Sequence, residues 1–334
     1  MSKRSFRATA VAAFTVVAAA AATLGVGHFS VAEAEDGAPE FRYQVTRNAG
    51  PYVDVPGLSV DVHAAEGEST YLWARNLTVE NVTSLAAGDN IGTTVAIICR
   101  NADGSELEGE RGTYWAANLV PPDEKELKPT LRWLFTPPEA GDYTCSVAIT
   151  SYSSIIVDGR EVEMRVPAGA ELASRVYPAS QRWTLPQESE RVVDAGDSVT
   201  TLGYTYKLAA DEPKLAVVQD LNLTTCKYGS SICDGGSPDH DGTQVSTQVT
   251  AQPQNADGSE CAPELTSEEA SRFISTPKHH LSSTNTLYID RDQLGDCAQL
   301  RVSLRLTNVE GNPVIIHAGY STELARTHGV AFEY

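Results

Sequence analysis

Asn101-Ala102-Asp103-Gly104-Ser105-Glu106 recurs, residue for residue, as Asn255-Ala256-Asp257-Gly258-Ser259-Glu260. The copies lie 154 positions apart, and the segments around them match in the same order. Upstream, Arg42-Tyr43 answers Arg182-Trp183, and Asn76-Leu77-Thr78 answers Asn222-Leu223-Thr224. Downstream, Gly141-Asp142 answers Gly295-Asp296, and Glu171-Leu172-Ala173 answers Glu323-Leu324-Ala325. Collinear matches along the whole chain beyond the N-terminal segment indicate one module present twice. They place the boundary near Val176-Tyr177, with modules at 35–176 and 177–334.

The repeated hexapeptide also carries a local prediction. Asp-Gly suits a type I turn followed by glycine in the left-handed region, a G1-bulge hairpin in which Asn101 pairs with Ser105. The alternative is a Ca2+ loop built on Asn101, Asp103 and Glu106, although the full twelve-residue spacing of such loops is missing. Runs rich in β-branched and aromatic residues surround the hairpins. They include Tyr71–Thr78, Thr93–Cys99, Thr130–Phe135, Tyr143–Thr150, Leu215–Leu223 and Leu300–Leu306. Helical periodicity is scarce. Thr266 followed by Glu269 looks like a capping box and predicts two helical turns over Thr266–Phe273. The expected fold class is therefore all-β: two tandem duplicated antiparallel β-sandwich domains after an N-terminal signal segment.

The signal segment rests on Lys3, Arg4 and Arg7, an apolar run from Thr9 to Gly27, and the small-x-small site Ala32-Glu33-Ala34. Residues 1–34 read as a secretory signal peptide, with an uncleaved membrane anchor as the alternative. Ser2-Lys3-Arg4-Ser5-Phe6 is similar to a twin-arginine signal with lysine in the first place, so the export route stays open. The chain has 334 residues and a net charge of −19. Cleavage would remove three basic groups and Glu33, leaving −21. Such a balance repels nucleic acid and anionic lipid, so neither is an expected partner; a membrane would be met only through an uncleaved N-terminal segment.

Six cysteines in an exported chain predict a disulfide framework. Cys226 and Cys233 fall where the repeat offset grows by eight residues, as if in an inserted loop closed by its own bridge. In a G1-bulge hairpin Cys99 sits opposite Leu107, whose repeat equivalent is Cys261. Cys297 corresponds to Tyr143, two residues before Cys145 on the same strand face. The predicted pairs are Cys99–Cys145, Cys226–Cys233 and Cys261–Cys297.

Glu139-Ala140-Gly141-Asp142-Tyr143-Thr144-Cys145 resembles the strand-F signature of immunoglobulin-like domains. The resemblance covers the first module. It implies that Tyr143 forms a tyrosine corner, that Cys99 takes the strand-B place opposite Cys145, and that Trp115 is the core tryptophan. Some 50 residues precede the strand-B position in each module, so an immunoglobulin-like sandwich with additions, or a jelly-roll relative, is expected. The resemblance implies binding or structural roles more often than catalysis.

No Gly-x-Ser-x-Gly, His-Glu-x-x-His or phosphate-cradling glycine motif occurs. Catalytic residues and cofactors are not expected. The acidic loop around Asp234, Asp239 and Asp241 offers candidate Ca2+ ligands, against plain solvation of the loop. His279-His280 lies in a polar stretch and reads as a solvated loop rather than a metal site. Trp73 and Trp133 read as core; an exposed aromatic platform would suggest carbohydrate stacking.

The resulting expectation is an exported, secreted or cell-surface β-sandwich protein, non-enzymatic, acting in recognition, adhesion or envelope structure. Its partner would be a protein or a cell-surface polymer. The alternative is a secreted enzyme or enzyme inhibitor with an unfamiliar site. Non-reducing peptide mapping should return the three cysteine pairs named above, and a bridge crossing Val176 would contradict the scheme.

Overall fold

Both Asn-Ala-Asp-Gly segments fold as the turn their chemistry dictates. In the computed structural model Asn101 N donates to Ser105 O at 2.9 Å, and Asn255 N to Ser259 O at 2.9 Å. Gly104 sits at φ +85° and Gly258 at +84°, the left-handed region that favours glycine. Asp103 and Asp257 spend their carboxylates inside the turns, each accepting from the backbone and hydroxyl of the following serine. The described residues are 37–334 without 46–49, 87–88, 120–124, 154, 157–159, 210–211 and 320–325, with the backbone alone at 114–116. The signal-peptide reading of 1–34 and the side chain of Trp115 lie outside them.

The first hairpin joins β5 (Ile91–Asn101) to β6 (Glu106–Leu119). With β2 (Val53–Ala64) and β9 (Gly141–Tyr152) they form an antiparallel sheet in the order β2-β9-β5-β6. The facing layer is split in two. One part is β1 (Phe41–Gln44), β10 (Glu163–Val166), β4 (Val79–Asn81) and β7 (Glu126–Leu127). The other is β11 (Glu171–Val176), β3 (Thr70–Arg75) and β8 (Arg132–Phe135). Leu58, Leu72, Ile97, Trp133, Phe135 and Val147 fill the core between the layers.

The second half repeats this plan. The sheet that holds its hairpin contains β14 (Ser198–Lys207), β20 (Gln299–Gly311), β16 (Gly242–Gln254), β17 (Leu265–Thr266) and β18 (Ala270–Ser275). Its other sheet contains β12 (Gln181–Thr184), β22 (His328–Glu333), β15 (Lys214–Thr225), β21 (Val314–Ile316), β13 (Arg191–Val193) and β19 (His280–Asp290). The order β11-β3-β8 corresponds to β22-β15-β19. The strands broken as β3/β4 and β7/β8 in the first half run unbroken as β15 and β19 in the second. Among the described residues, every strand pairing stays within Phe41–Val176 or within Gln181–Glu333. The two halves nonetheless belong to one compact unit.

Bridges join Cys99 to Cys145, Cys226 to Cys233 and Cys261 to Cys297. The tyrosine corner is also present: Tyr143 OH donates to Glu139 O at 2.7 Å. The immunoglobulin-specific expectation stops there. Cys99 and Cys145 are directly opposed on neighbouring strands of one sheet, whereas an immunoglobulin bridge spans two facing sheets.

Two further expectations are corrected. Thr266–Phe273 is not helical. It forms β17 and the start of β18, which pairs with β16 from Gly242↔Ser275 to Thr247↔Ala270. Glu269 accepts from Ser246 instead of closing a capping box. Two turns are too short to hold a helix against a sheet edge that offers ladder bonds. His279-His280 is not a solvated loop either: His280 is buried at the start of β19, opposite Thr224.

The indole of Trp133 lies directly on Gly112 of β6, where an added Cβ would come within 2.3 Å of the ring. Gly112→Ala should therefore overpack this contact and lower stability by about 1–3 kcal/mol, read by urea unfolding.

Candidate functional site

In a strand, alternate side chains face opposite ways. On β3, Leu72 points into the first core, so Tyr71 and Trp73 point out of it. On β8, Trp133 and Phe135 point inward and Leu134 outward. On β15, Leu215, Val217 and Leu221 fill the second core while Ala216 and Val218 face the first half. Val330 and Phe332 of β22 join them. The outward faces of β3–β8 and β22–β15 thus bury each other. This is why β15 is covered along both faces.

A groove of about 600 Å3 opens along this junction. Its aromatic walls are Tyr71 and Trp73 from the first half and Tyr288 and Phe332 from the second. Tyr71 and Phe332 pack at 4.9 Å between ring centroids, with Tyr177 stacked on Phe332 at 4.3 Å. Tyr288 is 70% exposed and Trp73 half-buried, so their rings are the accessible ones. Arg75 lies over the Trp73 ring at 5.1 Å and pairs with Glu171 at 3.8 Å, which steadies the indole. Asn76, Thr78 and Thr130 add hydrogen-bonding groups. Asn76 holds φ +53°, a left-handed conformation that asparagine tolerates better than most residues. The charged residues in the wall are Lys128 and Arg132.

Beneath the groove runs a polar chain that crosses the junction. Thr130 Oγ1 and Thr284 Oγ1 are 3.0 Å apart, and Thr284 donates to Asp220. The Asp220 carboxylate lies 3.4 Å from Arg132 Nε and 3.4 Å from His328 Nε2. His328 meets the Trp133 ring edge-on at 5.3 Å. The Trp133 indole donates to Glu110 at 3.0 Å, and Glu110 takes both terminal nitrogens of Arg182 at 2.7 and 2.6 Å. Burial lowers the pKa of His328 against the opposing pull of Asp220, which favours the neutral imidazole.

A second polar cluster lies further along β15. Thr224 Oγ1 is 2.6 Å from His280 Nδ1 and 2.7 Å from His317 Nε2. Glu190 is 3.4 Å from His317 Nδ1. Hydroxyl, imidazole and carboxylate stand in the order of a nucleophile triad. Thr224, however, is only 1% exposed. Burial, with Arg326 adding to it, pushes His317 down to about 3. Burial and Lys227 push His279 down to about 4. Burial also holds His280 well below the usual range.

Among the described residues no group of three or more His, Cys, Asp or Glu side chains is gathered as a metal site would need. Asp234 instead accepts from the backbone of Gly229 and Gly235 at 2.7 and 2.8 Å, which lowers its pKa. Asp239 and Asp241 are exposed. Of the tryptophans read as core, Trp133 is fully buried and Trp73 is a groove wall. Tyr71 and Trp73, two residues apart on one strand, were the available sign of an aromatic face. Nothing in the sequence pairs them with Tyr288 and Phe332.

No family model matches the chain, and no curated protein matches it. Among solved structures it is similar to the N-terminal CBM22-1–CBM22-2 tandem domain from Paenibacillus barcinonensis Xyn10C, at 10% identity and TM-score 0.24 over 82% of each chain. It is also similar to the T13 IBDV viral particle protein, at 11% identity and TM-score 0.27 over 90% of this chain and 73% of that one. A third likeness is Broad Bean Stain Virus, at 10% identity and TM-score 0.21 over 92% of each chain. Likenesses at these scores carry no argument about function.

The histidine cluster sets a pH dependence. An imidazole whose folded pKa lies below its unfolded value of about 6.5 contributes full stability above that pH, and the contribution shrinks as pH falls towards the folded value. Thermal stability should therefore drop between about pH 6.5 and pH 4. His317→Gln should flatten the slope by up to about 1.4 kcal/mol per pH unit, measured by urea unfolding across that range.

Proposed function

We propose that this chain is an exported recognition protein that binds a saccharide-bearing cell-surface polymer in the groove between its two halves, and that it performs no catalysis. The observation that carries this reading is the groove itself, walled by Tyr71, Trp73, Tyr288 and Phe332. Its volume of about 600 Å3 lies within the usual range of ligand sites. Aromatic rings offer apolar faces to sugar rings at low entropic cost, while the neighbouring threonine and asparagine groups can meet hydroxyls. Three disulfides suit an oxidising compartment, where such polymers are met. The competing reading, a secreted enzyme, draws on Thr224, His317 and Glu190. It would require a substrate to reach a hydroxyl that is 1% exposed.

Tyr288→Ala and Trp73→Ala should each weaken retention on a polysaccharide affinity gel by about tenfold. Tyr288→Ala should leave the melting temperature within a few degrees, because the ring is largely solvated. Wild-type retention by both variants on every polymer that binds would remove the groove from consideration.

A further inference from the structure

The chain carries 44 acidic and 25 basic side chains, so any wall of this size would be expected to include carboxylates. The groove's described lining holds none; its charges are Lys128 and Arg132. We propose that the groove selects an anionic saccharide, one bearing uronate carboxylates, over its neutral counterpart. This inference rests on the groove being a saccharide site.

The two cations have different parts. Arg132 is anchored: its Nε is 3.4 Å from Asp220, and its Nη2 donates to Thr284 at 3.3 Å. It contributes a fixed positive group at the floor. Lys128 is adjustable. Its ammonium pairs with Glu126 at 2.9 Å, but the two side chains are 69% and 52% exposed. Such a surface pair is worth about 0–1 kcal/mol, so a ligand carboxylate can take the place of Glu126 at little cost. Trp73 and Tyr288 would hold the ring faces while Lys128 reads the acid. The recognition is then divided: stacking sets affinity for the sugar, and the ammonium sets the preference for its charge.

Titration calorimetry of the disulfide-bonded chain with an oligogalacturonate, its methyl ester and a panel of neutral oligosaccharides tests this. Esterification removes the charge and keeps the ring faces. The acid should bind about five- to tenfold more tightly than the ester, the size of one charge-assisted contact. Added salt should shrink that advantage. Lys128→Gln should abolish most of it, weakening the acid far more than the ester, and Tyr288→Ala should weaken both ligands together. Equal affinity for acid and ester, or binding of neutral saccharides alone, overturns the charge preference and leaves the saccharide reading standing. Failure of every saccharide to bind, or binding indifferent to Tyr288→Ala, overturns both.

Discussion

One carboxylate organises the junction between the two halves. Glu110, on β6 of the first sandwich, accepts from the Trp133 indole and from both terminal nitrogens of Arg182 on β12 of the second. Arg182 lies over the Trp133 ring at 4.0 Å and also donates to the Leu134 carbonyl at 2.6 Å. Every group in this knot is largely buried. Removing one partner of such a pair leaves an uncompensated charge, which costs about 3–5 kcal/mol. The ion pair is also directional: a planar guanidinium held by two carboxylate oxygens tolerates little rotation. The pairing therefore fixes the angle at which the sandwiches meet, and the groove walls inherit that angle.

From Glu110 the constraint passes through packed neighbours. Trp133 needs Gly112 beneath it and meets His328 at its edge. His328 faces Asp220, and Asp220 faces Arg132 at the groove floor. A second grip lies at the far end of β6, where His280 N donates to Asn118 at 3.3 Å and Asn90 donates to the Pro277 carbonyl at 3.0 Å. The polar groups are held between apolar patches, so the junction resembles a core more than a sliding contact.

Duplication explains the architecture, and divergence explains the site. Both halves keep the Asn-Ala-Asp-Gly hairpin and bridge it to the segment around Gly-Asp, through Cys145 on β9 in the first and Cys297 just ahead of β20 in the second. In the first half the outer layer is broken into β1-β10-β4-β7 and β11-β3-β8. In the second it is one sheet centred on β15. The loop from Asn76 to Thr78, at the break between β3 and β4, forms part of the groove wall. Unlike halves pressed face to face leave a gap at their margin, and the aromatic residues collect there.

Local chemistry was legible in the sequence. The glycine of each Asn-Ala-Asp-Gly turn sits left-handed, alternating apolar residues form two-faced strands, and the cysteines displaced together across the repeat bridge together. Those features rest on contacts within one module, so the module's own residues decide them. The helix expected over Thr266–Phe273 yielded to a sheet edge, because ladder bonds to β16 outweigh a two-turn propensity. The immunoglobulin resemblance foresaw the Tyr143 corner but not that Cys99 and Cys145 share a sheet. His280 and Trp73 were misplaced for one reason: the surface that buries or flanks each belongs to strands far away in sequence. By itself, then, the sequence determined the modules, their strands and their staples, while the docking of the two halves, the buried Glu110–Arg182 pair and the groove were decided by tertiary structure alone. Those features form only when outward faces of separate modules desolvate each other, and no local pattern records which faces will meet.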